Sequence, residues 1–112
     1  MTYLFIHHSP DVLGGIETLI GRVALHLNAK GHVVMVVTTS ADRWRSLLPS
    51  ATHCVELKEQ FRNLFYPGLA QRFWKKLRLP RPDIIKTFDL PTSWCGSIVA
   101  GAYTPAVPLV AG

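Results

Sequence analysis

Leu4-Phe5-Ile6, then Gly14-Gly15-Ile16-Glu17, then an amphipathic stretch from Ile16 to Ala29: in that order the residues spell strand, glycine turn and helix start. Paired glycines let the backbone take positive φ and let another group approach closely. A helix opening directly after them directs its unbonded N–H groups and the positive end of its dipole at whatever occupies the turn. A phosphate or other anion suits such a place. The plainer alternative is a tight strand-to-helix connection with no ligand.

Working outward, Ile16, Leu19, Ile20, Val23, Ala24 and Leu27 recur at helical spacing and are expected to form one buried face. Glu17 lies in the first turn, where the dipole favours an acid, and Lys30-Gly31 closes the helix with a cation and a glycine stop. Tyr3 to His7 and His32 to Thr39 flank it as strands. Val33-Val34-Met35-Val36-Val37 is apolar without alternation, as expected of a parallel strand covered on both faces. Strand, helix and strand within about forty residues predict a right-handed βαβ unit.

The remaining pattern continues the alternation. Ala41 to Leu48 reads as a short helix stopped before Pro49, and His53 to Leu57 as a weaker strand. Leu69 to Leu79 reads as a basic helix ended by Pro80, and Asp83 to Phe88 as a fourth strand. A further helix is expected from near Pro91 to about Tyr103, and a fifth strand over Val107 to Ala111. The expected fold is α/β: a Rossmann-like open parallel sheet with helices on both faces, a single domain over 1–112. A chain that stops on its fifth strand leaves an edge, so a domain cut short is also expected.

Composition bounds the class. The 112 residues allow one domain, and 48% apolar residues with 17% charged residues describe a globular chain. The formal charge of +5 favours polyanionic neighbours: nucleic acid, an anionic membrane or phosphorylated ligands. Cys54 and Cys95 make no metal or redox spacing and read as free thiols in a reducing compartment. No basic segment leading into an apolar one opens the chain, so no signal peptide is read. Trp94–Gly112 is uncharged and about long enough to span a bilayer, but Pro105 and Pro108 break it, and a helix followed by a buried strand fits it with less strain.

These segments together carry a resemblance. Gly14-Gly15-Ile16-Glu17, Leu19, Ala24, Leu27, Lys30-Gly31-His32-Val33-Val34-Met35-Val36-Val37-Thr38, Arg81-Pro82-Asp83-Ile84-Ile85 and Val107-Pro108-Leu109-Val110 resemble the opening of family 4 glycosyltransferases of the GT-B fold. The resemblance implies the N-terminal, acceptor-side domain of an enzyme that moves a sugar from a nucleotide-sugar to a lipid-linked or glycan acceptor with retention, as in cell-envelope polysaccharide synthesis. It implies that Gly14 and Gly15 lie beside the donor diphosphate. Glu17 then faces the acceptor side, or serves only as a first-turn acid. Phe88 falls where many members carry a histidine near the transferred sugar, so that contact is lost unless Asp89 substitutes. Most of the nucleotide-sugar site belongs to a second, C-terminal domain outside these residues. The chain alone is therefore expected to be inactive, and no cofactor or metal is expected. The location implied is cytoplasmic, peripheral on the inner face of the membrane.

Among single side chains, His7 and His8 end the first strand at the edge where open α/β sheets bind ligands. His8 is a weak candidate base and Asp89 a weak candidate contact; a polar strand end is the plainer account of His8. His26, His32 and His53 lack ligand-spaced partners. Arg72, Phe73, Trp74, Lys75, Lys76 and Arg78 read either as a membrane-surface helix or as a solvated helix packing Phe73, Trp74 and Leu77 on the sheet. No nucleic-acid motif accompanies the charge. Gly14-Gly15 does not extend to GxGxxG, so a dinucleotide site has little support. A stand-alone module that binds a phosphorylated ligand without chemistry is the alternative function.

Overall fold

The computed structural model describes residues 1–7, 15–38, 44, 48, 52–56, 67–77, 79–88, 90–103 and 105–111. Five strands and three helices alternate: β1 (Thr2–Ile6), α1 (Gly15–Ala29), β2 (Val33–Thr38), β3 (His53–Glu56), α2 (Pro67–Leu77), β4 (Ile84–Thr87), α3 (Leu90–Ala102) and β5 (Leu109–Ala111). The five strands form one parallel sheet in the order β3-β2-β1-β4-β5. This is the Rossmann-like open sheet expected from the alternation.

The unbroken apolar runs are explained by helices on both faces. Leu4, Ile6, Met35, Val37 and Ile85 point to one side, where Trp74 of α2 and Cys95 and Val99 of α3 cover them. Phe5, Val34 and Val36 point to the other, where Ile20 and Ala24 of α1 and the indole of Trp44 pack. Successive residues of β1 and β2 thus serve opposite cores, which leaves no position for polar alternation. Cys54 packs with the α1 core and Cys95 with the α2–α3 core, and neither is in a disulfide.

Element ends follow local chemistry. Gly31 sits at φ 85°. The His32 N–H reaches the Leu27 carbonyl (3.0 Å) and the Gly31 N–H that of Asn28 (3.1 Å), a Schellman stop for α1. α2 starts at Pro67, two residues before the expected Leu69, because proline is preorganised for a first helical turn. It also ends before Leu79, since a residue preceding proline is driven out of the helical region. β5 begins only at Leu109. Pro108 cannot donate, and its carbonyl instead accepts the Ile85 N–H (3.0 Å). Most of the short helix expected over 41–48 lies outside the described residues, although the Leu48 N–H does bond the Trp44 carbonyl (3.0 Å).

One expectation needs correcting, and another is borne out. Leu19 is not part of the α1 core face: it is 53% exposed. It rims an apolar groove of about 330 Å3 that runs between α1 and the β1–β4–β5 side of the sheet, with Phe5, Ile84, Phe88 and Val110 among its walls. Trp94–Gly112 resolves into α3, β5 and their connection. The 13 residues of α3 give about 20 Å of helix, well short of the roughly 30 Å hydrocarbon core. No helix among the described residues is long and apolar enough to cross a membrane.

Candidate functional site

All five strands run the same way, so their C-terminal ends share one edge. The connections leave β1 toward β2 on one side, while β4 lies on the other. The gap between β1 and β4 is therefore the switch point at which open α/β sheets hold ligands. The register pairs Ile6 with both Val37 and Thr87. The next residues, His7, Thr38 and Phe88, accordingly stand side by side at that edge. α1 begins above it at Gly15.

His7 and Glu17 meet there. The imidazole Nε2 lies 3.3 Å from Glu17 Oε1, and both residues are buried, at 2% and 8% exposure. The carboxylate accepts, so the ring nitrogen carries the shared proton. The bond joins the end of β1 to the first turn of α1 across an interval of ten residues. It fixes where the N-terminus of α1 sits over the sheet edge. His7 is also held from β2, since its N–H donates to the Val37 carbonyl (3.1 Å).

Two aromatic rings flank His7. Trp44 meets His7 edge-on at 6.1 Å, and its indole N–H donates to Thr38 Oγ1 at 2.9 Å. Phe88 meets His7 edge-on at 5.4 Å and touches Phe5 at 6.3 Å. Phe88 is positioned by α3: its N–H points at Thr92 Oγ1 (3.4 Å), while Thr87 Oγ1 and Ser93 Oγ lie 2.8 Å apart. The Lys86 ammonium sits 5.3 Å from the centre of the Phe88 ring. This places a cation beside the edge, within the range of a cation–π contact. The Cys95 thiol is fully buried beneath α3, and burial pushes it up to about 12, so it is a packing group and not a nucleophile at neutral pH.

Of the residues singled out in the sequence, His7, Glu17 and Phe88 come together here. Gly14, His8 and Asp89 lie outside the described residues, as do Arg78 and the Phe73 side chain. Glu17 is engaged by His7, a partnership that neither of its sequence roles contains. On α2, Arg72, Lys75 and Lys76 are exposed. Trp74 is not a surface aromatic: it is 8% exposed, packs in the core and approaches the Tyr103 hydroxyl through its indole N–H (3.3 Å), which corrects its place in a membrane-facing set. Sequence reasoning placed His7 at this edge without giving it a role, and passed over Lys86 and Trp44. The available signals were a histidine continuing an apolar strand and a lone lysine inside another. Among the described residues no group of three His, Cys, Asp or Glu side chains could hold a metal ion.

The family model for Glycosyltransferase Family 4 matches residues 13–112, from the glycine turn to the last residue. The chain belongs to glycosyltransferase family 4. Comparison with curated proteins and with solved structures gives no match. In this family 4 chain, the matched segment begins just before Gly14-Gly15 and takes in Glu17, Lys86 and Phe88, so the whole edge cluster except His7 falls within it.

Proposed function

We propose that this chain is the acceptor-side domain of a glycosyltransferase that moves a sugar from a nucleotide-sugar to a lipid-linked or glycan acceptor. The observation that supports it most is the family 4 match, which spans Gly14-Gly15 and the start of α1. In this reading Gly14 and Gly15 lie against the donor diphosphate, and the first N–H groups of α1 with its dipole stabilise the negative charge that grows as the sugar leaves. Lys86 adds a cation on the same edge. The chain needs no nucleophile of its own, because the leaving diphosphate can take the acceptor proton. The His7–Glu17 bond acts on position alone: it holds the turn of α1 in place before the donor arrives. Phe88 presents an apolar ring to the transferred sugar.

The diphosphate cradle forms one wall of a cleft, and a second, nucleotide-binding domain forms the other. Incubation with UDP-, GDP- and ADP-linked sugars, followed for released nucleoside diphosphate and for glycosylated product, tests this. No turnover is expected from residues 1–112 alone, and turnover is expected once a nucleotide-sugar-binding domain is joined to them. Turnover by the isolated chain overturns the two-wall account.

A further inference from the structure

α2 and α3 pack beside each other on one face of the sheet and border a pocket of about 280 Å3. α3 leaves the C-terminal edge of the sheet after β4 and returns to the opposite edge before β5. The pocket touches the end of that path, at Val99, Ala102 and Tyr103, so it lies away from the switch point and from the His7–Glu17 pair. Its walls are of two kinds. Leu79, Val99, Ala102 and the buried indole of Trp74 form an apolar floor, while Lys75 and Tyr103 bring polar ends to it. The Trp74 N–H donates to the Tyr103 hydroxyl oxygen at 3.3 Å. That bond uses a lone pair of the oxygen and leaves the phenolic O–H as a donor. Among the described residues none accepts it. The Arg81 guanidinium stands 5.4 Å from the centre of the Tyr103 ring and adds a second cation beside Lys75. α2 and α3 contain no acidic residue, and Asp83, the acid nearest Arg81 in sequence, accepts the Thr2 N–H.

We propose that this pocket binds a compact monocarboxylate with an apolar body, an aryl or branched aliphatic acid of about ten non-hydrogen atoms. The carboxylate accepts the Tyr103 O–H, a bond strengthened by its charge, and lies in the field of Lys75 and Arg81. The body covers the indole of Trp74 together with Val99 and Ala102. A bare inorganic anion would leave that floor against water, and a neutral hydrocarbon would strand the phenolic donor. The volume sits at the lower end of what small-molecule sites occupy, which suits a ligand of this size better than a nucleotide. The proposal is independent of whether the chain takes part in sugar transfer.

Trp74 reports on occupancy, because its indole N–H is part of the wall. 3-Phenylpropionate is titrated into the 15N-labelled chain, and the indole cross-peak of Trp74 is followed together with the amides of Lys75, Val99 and Tyr103. Saturable shifts at all four are expected, with a dissociation constant on the order of 0.1–1 mM. 3-Phenylpropanol has the same body without the charge and should bind at least about tenfold more weakly. Inorganic phosphate should leave the Trp74 indole unmoved. Tyr103→Phe should weaken binding of the acid about tenfold, and Lys75→Gln about threefold. Ala102→Phe should fill the pocket and abolish binding. Lys75 and Ala102 are exposed, so circular dichroism should show those two variants folded even where Tyr103→Phe is not. Absence of a shift at the Trp74 indole up to about 10 mM acid overturns the proposal. So does equal affinity for the acid and the alcohol, movement of the indole by inorganic phosphate alone, or binding that survives unchanged in Lys75→Gln and Ala102→Phe.

Discussion

Glu17→Ala removes the acceptor that joins the first turn of α1 to the end of β1. The magnitude follows from the geometry. Both partners are buried and 3.3 Å apart, so the bond lost is one to an ionised group in a dry site, about 1.5–3 kcal/mol. Glu17 also leaves the first helical turn, where an acid contributes about 0.3–1 kcal/mol against the dipole. The expected loss is about 2–4 kcal/mol, or roughly 8–16 °C in Tm for a domain of this size. Glu17→Gln keeps the shape and one acceptor oxygen, so a neutral bond survives and the loss falls to about 1 kcal/mol. Urea unfolding of Glu17→Ala, His7→Phe and the double variant closes a cycle in which the two side chains should couple by at least about 1.5 kcal/mol. The m value should stay constant through the set. A Glu17→Ala variant within about 0.5 kcal/mol of the parent, or an additive cycle, refutes the claim that this pair fastens the start of α1 to the sheet.

Other consequences test neighbouring parts of the structure. A Cβ at Gly96 would lie 2.8 Å from Thr87 Cγ2 and 3.3 Å from Leu109 Cδ1. Thr87 is held by Ser93, so Gly96→Ala should lower stability by about 1–2 kcal/mol in urea unfolding, even though alanine gains about 1 kcal/mol in helix propensity. Gly31 at φ 85° has open space around it, so the penalty of Gly31→Ala is conformational, about 1 kcal/mol, and Gly31→Asn should lose less on thermal melting. Cys95 keeps its proton in the folded chain up to about pH 12 but loses it near 9.0 when unfolded. Its contribution to stability should therefore be constant below pH 9 and fall by about 1.4 kcal/mol per pH unit above it, a slope missing from Cys95→Ala. At neutral pH iodoacetamide should label half-buried Cys54 well before Cys95, as peptide mapping would show.

Much of the fold could be read because its signals are local. The valine run of β2, the Lys30-Gly31 stop and the proline at the end of α2 each act within a few residues. The site was less legible, because its contacts cross the chain. His7 and Glu17 meet across an interval of ten residues that no periodicity bridges, and Trp44 reaches His7 from a third segment. The two tryptophans of the α2–α3 layer show a different limit. The basic pattern of α2 suited either an exposed or a buried Trp74, and packing in the core with Cys95 and Val99 of α3 buries it. The uncharged sequence of α3 offers no polar face, so only packing on the sheet reveals that Trp94 points outward. Leu19 fits the helical repeat of α1 but lies beyond the strands that α1 covers.

The central claim is that the glycine turn on the β1–β4 edge receives the diphosphate of a nucleotide-sugar. Titration of UDP into the 15N-labelled chain, followed amide by amide, tests it most directly. The account predicts fast-exchange shifts that start at Gly14, Gly15 and Glu17 and extend to Phe88, with a dissociation constant on the order of 1–10 mM for a single wall of the cleft. Inorganic pyrophosphate should move the same glycine amides. Shifts confined to the cations of α2, or none at those glycines up to about 10 mM UDP, would contradict it.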